Sequence, residues 1–171
     1  MAANQEQLVK IFQYALNQEK TGLSFFRTSL ERLGTGAAVT AFKKLIEEEQ
    51  KHVVFISNIL KDLEKSGSVN VASLESVSIE PTDFFDERSK SEFLEQCLES
   101  SMIPDVTVFH TALLIERDLS QFYAKMAETI DHDKAREAFK MLSDWEKGHE
   151  RFFQGIRDEL SREYEAMPWG G

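Results

Sequence analysis

The chain matches itself. Moved by 97 residues, the separation of Phe12 and Phe109, its first part falls on its second without a gap. Phe12 meets Phe109, Ala15 meets Ala112, Leu16 meets Leu113 and Phe25 meets Phe122. Further on, Ala38 meets Ala135, Ala41 meets Ala138, Phe42 meets Phe139, Lys43 meets Lys140 and Leu45 meets Leu142. Phe55 then meets Phe152, Ile59 meets Ile156 and Leu63 meets Leu160. Self-similarity at one offset over roughly 55 positions, in two copies only, marks a duplicated unit and not a solenoid.

The repeated unit is a pair of helices. Its apolar residues recur at helical spacing, first through Leu8, Phe12, Leu16, Leu23, Phe26 and Leu30, then through Phe42, Leu45, Val53, Ile56, Ile59 and Leu63. Gly34 and Thr35-Gly36 separate the two stripes. A third stripe opens at Pro104-Asp105 and runs through Val106, Phe109, Leu113, Leu119, Tyr123, Met126 and Ile130. Asp131 or Asp133 is placed to cap the fourth, which holds Ala135, Phe139, Leu142, Phe152, Phe153, Ile156 and Leu160. No segment alternates with period two for long; residues 74–80 come closest. Four helices of roughly 28 residues, each about 40 Å long, are expected. Short turns make each pair an antiparallel hairpin. The connection from 66 to 103 is far too long for a tight turn, and a structureless loop of that size is uncommon. It reads as a crossover along the bundle, with a short helix at Asp86 to Leu98. The expectation is a single all-α domain over 1–171, with hairpins at about 5–65 and 104–164. One long crossover between two hairpins is the ferritin-like form of the four-helix bundle.

The polar matches within the repeat carry the chemistry. Glu19 meets Glu116, Glu49 meets Glu146 and His52 meets His149. These residues interrupt apolar stripes: Glu19 lies between Leu16 and Leu23, and Glu49 and His52 fill the gap between Leu45 and Ile56. Glu19 lies 16 residues before Thr35, while Glu49 and His52 lie 14 and 17 after it; the same spacings recur around His132. In antiparallel hairpins such positions face each other, roughly 24 Å from the turn. Six ionisable side chains therefore converge at one level of the core. Four buried carboxylates without counter-charge would repel one another and be costly to desolvate. A pair of divalent metals resolves the conflict, because Glu-x-x-His places carboxylate and imidazole on one helical face. One glutamate from each of two helices, with Glu-x-x-His from each of the other two, is the ligand pattern of di-iron and di-manganese carboxylate bundles. Oxygen and nitrogen ligands without thiolate suit iron or manganese better than a structural zinc. Glu47, Glu48 and Glu49 form an acidic run, which ordinarily faces solvent, and a bundle that has lost its metal is the other alternative. The repeat, the common height and the complete set of six argue against both.

Charge and composition narrow the function further. The 171 residues carry 20 Lys and Arg against 30 Asp and Glu, a net charge of −10. That sign disfavours nucleic acid and anionic lipid as partners. Two divalent ions would balance the four core glutamates and bring the net charge to about −6. Without them, uncompensated carboxylates would destabilise the apo bundle near neutral pH. The one cysteine, Cys97, allows neither an internal disulfide nor a Cys-x-x-Cys metal knot. It reads as a small buried residue of the crossover. No stretch nears about 18 apolar residues, and the first residues show no basic cluster before an apolar run, so a cytoplasmic protein is expected.

These residues resemble those of the rubrerythrin-like branch of the ferritin-like superfamily. The resemblance covers about residues 5–65 and 104–162. It rests on Glu19 with Gly22 and Phe25-Phe26, on Glu49-Gln50-Lys51-His52, on Glu116 with Phe122-Tyr123, and on Glu146-Lys147-Gly148-His149. It implies a non-haem centre of two iron ions that reacts with peroxide or oxygen. Glu49 and Glu146 would bridge, Glu19 and Glu116 would be terminal carboxylates, and His52 and His149 the nitrogen ligands. Rubrerythrins proper add a rubredoxin domain with four cysteines; with only Cys97 present, an external electron donor is expected. Leu119 stands where they carry a second glutamate, three residues after the third-helix ligand. Bacterioferritins hold haem through a methionine within the first Glu-x-x-His, where this chain has Gln50 and Lys51, so no haem is expected.

Tyr123 lies two turns past Glu116 on the same face, where it could relay an electron or bond a ligand; core packing is the simpler reading for it, for Tyr14 and for Trp145. His110 falls on Gln13 in the repeat and reads as structural or surface, and His132 as solvated or capping. Three functions remain: a di-iron oxidoreductase, a ferroxidase for iron storage or transfer, and an interaction module with structural metal. Self-association as a homodimer is compatible with each.

Overall fold

The computed structural model describes residues 4–32, 37–70 and 104–166. These form four helices: α1 (Gln5–Arg32), α2 (Ala37–Ser66), α3 (Pro104–Thr129) and α4 (Asp133–Ala166). There is no strand among the described residues. Helix α1 packs mainly on α2 and α3 mainly on α4, which gives the two hairpins; α1 also meets α3. The expected crossover helix at Asp86–Leu98, Cys97, residues 74–80 and the turn at Gly34–Gly36 lie outside the described residues.

Local chemistry sets the helix ends. Asn4 and Gln7 exchange bonds at the start of α1: the Gln7 amide donates to Asn4 Oδ1 at 2.9 Å, and the Asn4 amide to Gln7 Oε1 at 3.1 Å. This reciprocal cap satisfies two amides that the first turn leaves unpaired. Helix α2 ends at Gly67, whose φ of 69° is the left-handed conformation that favours glycine. The Gly67 amide donates to the Leu63 carbonyl at 2.9 Å, and Gln5 Nε2 donates to the same carbonyl at 2.6 Å. Gln5 thereby ties the start of α1 to the end of α2. At α4 the cap is His132, whose Nδ1 accepts from the Ala135 amide at 3.2 Å. Asp133, one of the two aspartates expected there, accepts instead from Arg136 at 2.8 Å.

The core is split into two apolar layers. One holds Leu8, Phe12, Leu16, Phe55, Ile59, Leu63, Tyr123, Phe139 and Leu142. The other holds Leu23, Phe26, Phe42, Leu45, Phe109, Leu113, Phe153 and Ile156. Phe12 stacks on Phe139 with ring centroids 4.6 Å apart in the first layer, and Phe26 stacks on Phe153 at 6.2 Å in the second. Every helix contributes to both layers, so the level between them is fixed from either side. The polar matches of the repeat lie at that level.

Candidate metal centre

Glu19, Glu49, His52, Glu116 and Glu146 are fully buried, and His149 is 3% exposed. The structure brings all six together. Two sets form, one of Glu19, Glu49, His52 and Glu146, the other of Glu49, Glu116, Glu146 and His149. Within each set the candidate ligand atoms lie within 4.8 Å of one another. Glu49 and Glu146 belong to both. His52 Nδ1 lies 2.8 Å from Glu146 Oε1 and 3.7 Å from both Glu19 Oε2 and Glu49 Oε2. His149 Nδ1 lies 2.9 Å from Glu49 Oε1, 3.3 Å from Glu146 Oε2 and 3.4 Å from Glu116 Oε2.

These approaches are close without being aligned as hydrogen bonds. Every carboxylate oxygen of the four glutamates except Glu19 Oε1 is buried with no hydrogen-bond partner, and so is Nδ1 of both histidines. Buried polar atoms are ordinarily satisfied, and an unmet cluster calls for an ion or an equivalent. Lone pairs that converge on shared points fit divalent metal, and the oxygen and nitrogen donors suit iron or manganese.

Without metal, protons and histidines take up part of the charge. Burial, reinforced by the negative charge of Glu146, pushes Glu19 up to about 8. Burial and the charges of Glu49 and Glu146 also hold Glu116 well above the usual carboxylate range. For His52 burial acts downward, but Glu146 and Glu49 outweigh it and raise the imidazole well above its ordinary value. His149 is raised against burial in the same way, chiefly by Glu116. Glu146 is lowered, because His52 and His149 overcome the opposing effect of burial. The four carboxylates are thus not four bare charges, as the sequence alone had implied; two imidazoles stand among them, and burial favours the protonated form of Glu19 and Glu116.

Several neighbours complete the site. Tyr123 is fully buried, and its hydroxyl donates to Glu19 Oε1. Burial and the Glu19 charge keep that phenol well above its usual pKa, so it stays protonated and donating. Tyr123 is therefore a partner of Glu19 as well as core. Tyr14 is not, being 52% exposed and packed edge-on against Phe122. Trp145 stacks on His52 at 5.1 Å with an interplanar angle of 15°. Glu48 Oε2 lies 2.7 Å from His149 Nε2 and is lowered by that bond, against the pull of burial. The sequence placed Glu48 in a solvated run and did not mark it. Beside the ligands, Arg117 Nε and Ser120 Oγ donate to Glu150 at 2.9 and 3.1 Å and brace α3 on α4. His110 is exposed. Leu119 is buried beneath a surface groove shared with Tyr14, Gly22, Phe25 and Phe122.

A four-helix bundle with paired Glu-x-x-His and two further glutamates at its centre defines the ferritin-like carboxylate class, whose sites are compatible with two irons. Comparison with protein families matches residues 10–157 to rubrerythrin. The chain belongs to the rubrerythrin family, a ferritin-like di-iron family. No curated protein and no solved structure matches it. No helix of the described residues is long and apolar enough to cross a membrane.

Proposed function

We propose that the protein is a non-haem di-iron oxidoreductase that reduces peroxide or oxygen with electrons from an external donor. The observation that supports this most is the set of unmet lone pairs: buried carboxylates and two Nδ1 atoms, drawn from all four helices, converge as two overlapping ligand sets. When bound, two ferrous ions would supply the two electrons that, with two protons, convert one peroxide to two waters, and the donor would restore them. Manganese in place of iron is consistent with the same donors.

The residues divide the work of holding the pair. Glu49 and Glu146, which belong to both sets, would be shared between the two ions. Glu19 and Glu116 would each close one end, and His52 and His149 would supply one nitrogen apiece. Tyr123 fixes the Glu19 carboxylate by donating to Oε1, which leaves Oε2 toward the site. The apolar layers on either side exclude bulk water, which strengthens the attraction between ligands and cation. A cytoplasmic setting accords with this reading, since a reducing compartment keeps ferrous iron and donors at hand.

The test has two parts. Metal analysis of anaerobically purified protein should find two ions per chain, and Glu49→Ala and Glu146→Ala should lose them. Stopped-flow mixing of the ferrous protein with peroxide and with oxygen should give an absorbance change within the dead time to seconds. Wild type that holds no more metal than the variants, or no spectral change in either mix, would sink the proposal. A large hollow assembly that accumulates iron far beyond two per chain would replace it with iron storage.

A further inference from the structure

We infer that the two metal positions are unequal: the position at His149 fills first, and Glu48 is the positioning residue that makes it so. This rests on the two-metal reading above and goes beyond it, because the six ligands alone are related by the repeat and would predict equal positions.

The ligands repeat, but what touches them does not. The separation of 97 residues that carries Glu49 onto Glu146 carries Glu48 onto Trp145 and Phe26 onto Tyr123. Each of these substitutions changes one end of the site. Glu48 Oε2 stands 2.7 Å from His149 Nε2. A carboxylate there holds the hydrogen on Nε2, leaves the lone pair on Nδ1, fixes the ring and raises its basicity as a ligand. Nδ1 is the atom that faces Glu49, Glu146 and Glu116. At the other end, Trp145 stacks on His52 and offers no acceptor, since an indole carries only a donor. His52 Nε2 has no hydrogen-bond partner.

The terminal carboxylates differ in the same sense. Tyr123 donates to Glu19 Oε1, which withdraws some of that oxygen's charge from a cation at the His52 position. The repeat places Phe26, with no hydroxyl, where the equivalent bond to Glu116 would come. Both Glu116 oxygens remain without hydrogen-bond partners. The His149 position therefore has one more carboxylate near its cation and a terminal ligand with both oxygens uncommitted. The His52 position has an aromatic face and a ligand already engaged.

Anaerobic calorimetric titration of the full chain with Co(II), at one fixed pH, tests the inference. Wild type should bind two ions in steps at least tenfold apart. Glu48→Gln, which keeps the shape and removes the charge, should weaken the tighter step by about 10- to 100-fold and leave the weaker one within about threefold. With one cobalt per chain, proton spectra of wild type should show one shifted, exchange-protected imidazole N–H, that of His149. In Glu48→Gln that signal should be lost, a change that general loosening of the bundle would not confine to one ring. Far-ultraviolet circular dichroism of the metal-free variant checks that it folds. Two equal steps in wild type, or equal weakening of both by Glu48→Gln, would overturn the inference and leave the two-metal reading standing. No binding by wild type beyond that of Glu49→Ala and Glu146→Ala would remove that reading and the inference together.

Discussion

Filling the site with two divalent ions at pH 7 should release protons, more than one per chain. The number follows from which groups hold protons before metal arrives. Glu19, raised to about 8 by burial and by Glu146, is about nine-tenths protonated at pH 7. Glu116 is raised well above the usual carboxylate range for the same reasons. His52 and His149 are raised well above the ordinary imidazole value because the surrounding carboxylates outweigh burial. Any proton on these groups must leave before metal takes its place, and Glu146, whose pKa is lowered, contributes none. Calorimetric titration with Co(II) in two buffers of different ionisation enthalpy measures the count, because the observed heat varies linearly with the buffer's enthalpy. The slope should exceed one, and it should fall at pH 9, where Glu19, raised to about 8, is about nine-tenths ionised. A slope near zero at pH 7 would refute the picture of a site held together by protons until metal replaces them.

Three further outcomes test the same physics. The metal-free protein should melt highest in mildly acidic solution and lose stability as pH rises. Glu19 binds its proton more tightly folded than unfolded, so its contribution declines between 4.5 and about 8, by on the order of 5 kcal/mol across the window. The raised histidines act in the same direction, their stabilisation being complete below 6.5 and lost as pH climbs through their folded values. Glu146, whose pKa is lowered, sets the acid limit below 4.5. Thermal melts in chelator from pH 5 to 9 check this, and a flat profile would count against it. Tyr123→Phe should cost the metal-free protein about 1–3 kcal/mol in urea unfolding, since it leaves Glu19 Oε1 buried without its donor. Gly67→Ala should cost about 1 kcal/mol in the same assay. The residue sits at φ 69°, and an added Cβ would come within 3.1 Å of Gln5 Oε1.

The repeat made the ligands legible, and the same property hid their neighbours. A ligand must appear in both hairpins to build a two-ended site, so Glu19, Glu49 and His52 announce themselves through Glu116, Glu146 and His149. A neighbour touches one end only and is free to differ. Glu48 sits in an acidic run that ordinarily faces solvent, and its mate is Trp145. Nothing in the chain order marks it, because its contact is with a histidine 101 residues away. Tyr123 was legible as a core residue by its spacing, but its bond to Glu19 crosses from α3 to α1 and depends on the packing of the hairpins. The cap of α4 departs from expectation for a local reason: aspartate is the commoner cap, but His132 takes the position with Nδ1 while Asp133 turns to Arg136.

The fold gives these buried charges a structural consequence as well as a chemical one. Each hairpin brings three ligands, and neither completes either metal set. His52 on α2 meets Glu146 on α4 at 2.8 Å, and His149 on α4 meets Glu49 on α2 at 2.9 Å. The polar level is therefore crossed twice between hairpins, in opposite senses, while the apolar layers above and below hold the helices apart at a fixed spacing. A lone hairpin would leave Glu49 and His52, or Glu146 and His149, facing water, where hydration satisfies them. Association of the hairpins removes that hydration and stabilises the bundle only if protons or metal take its place. Apolar burial sets where the hairpins meet. Bound ions would set how firmly, which would couple occupancy of the site to the stability of the whole bundle.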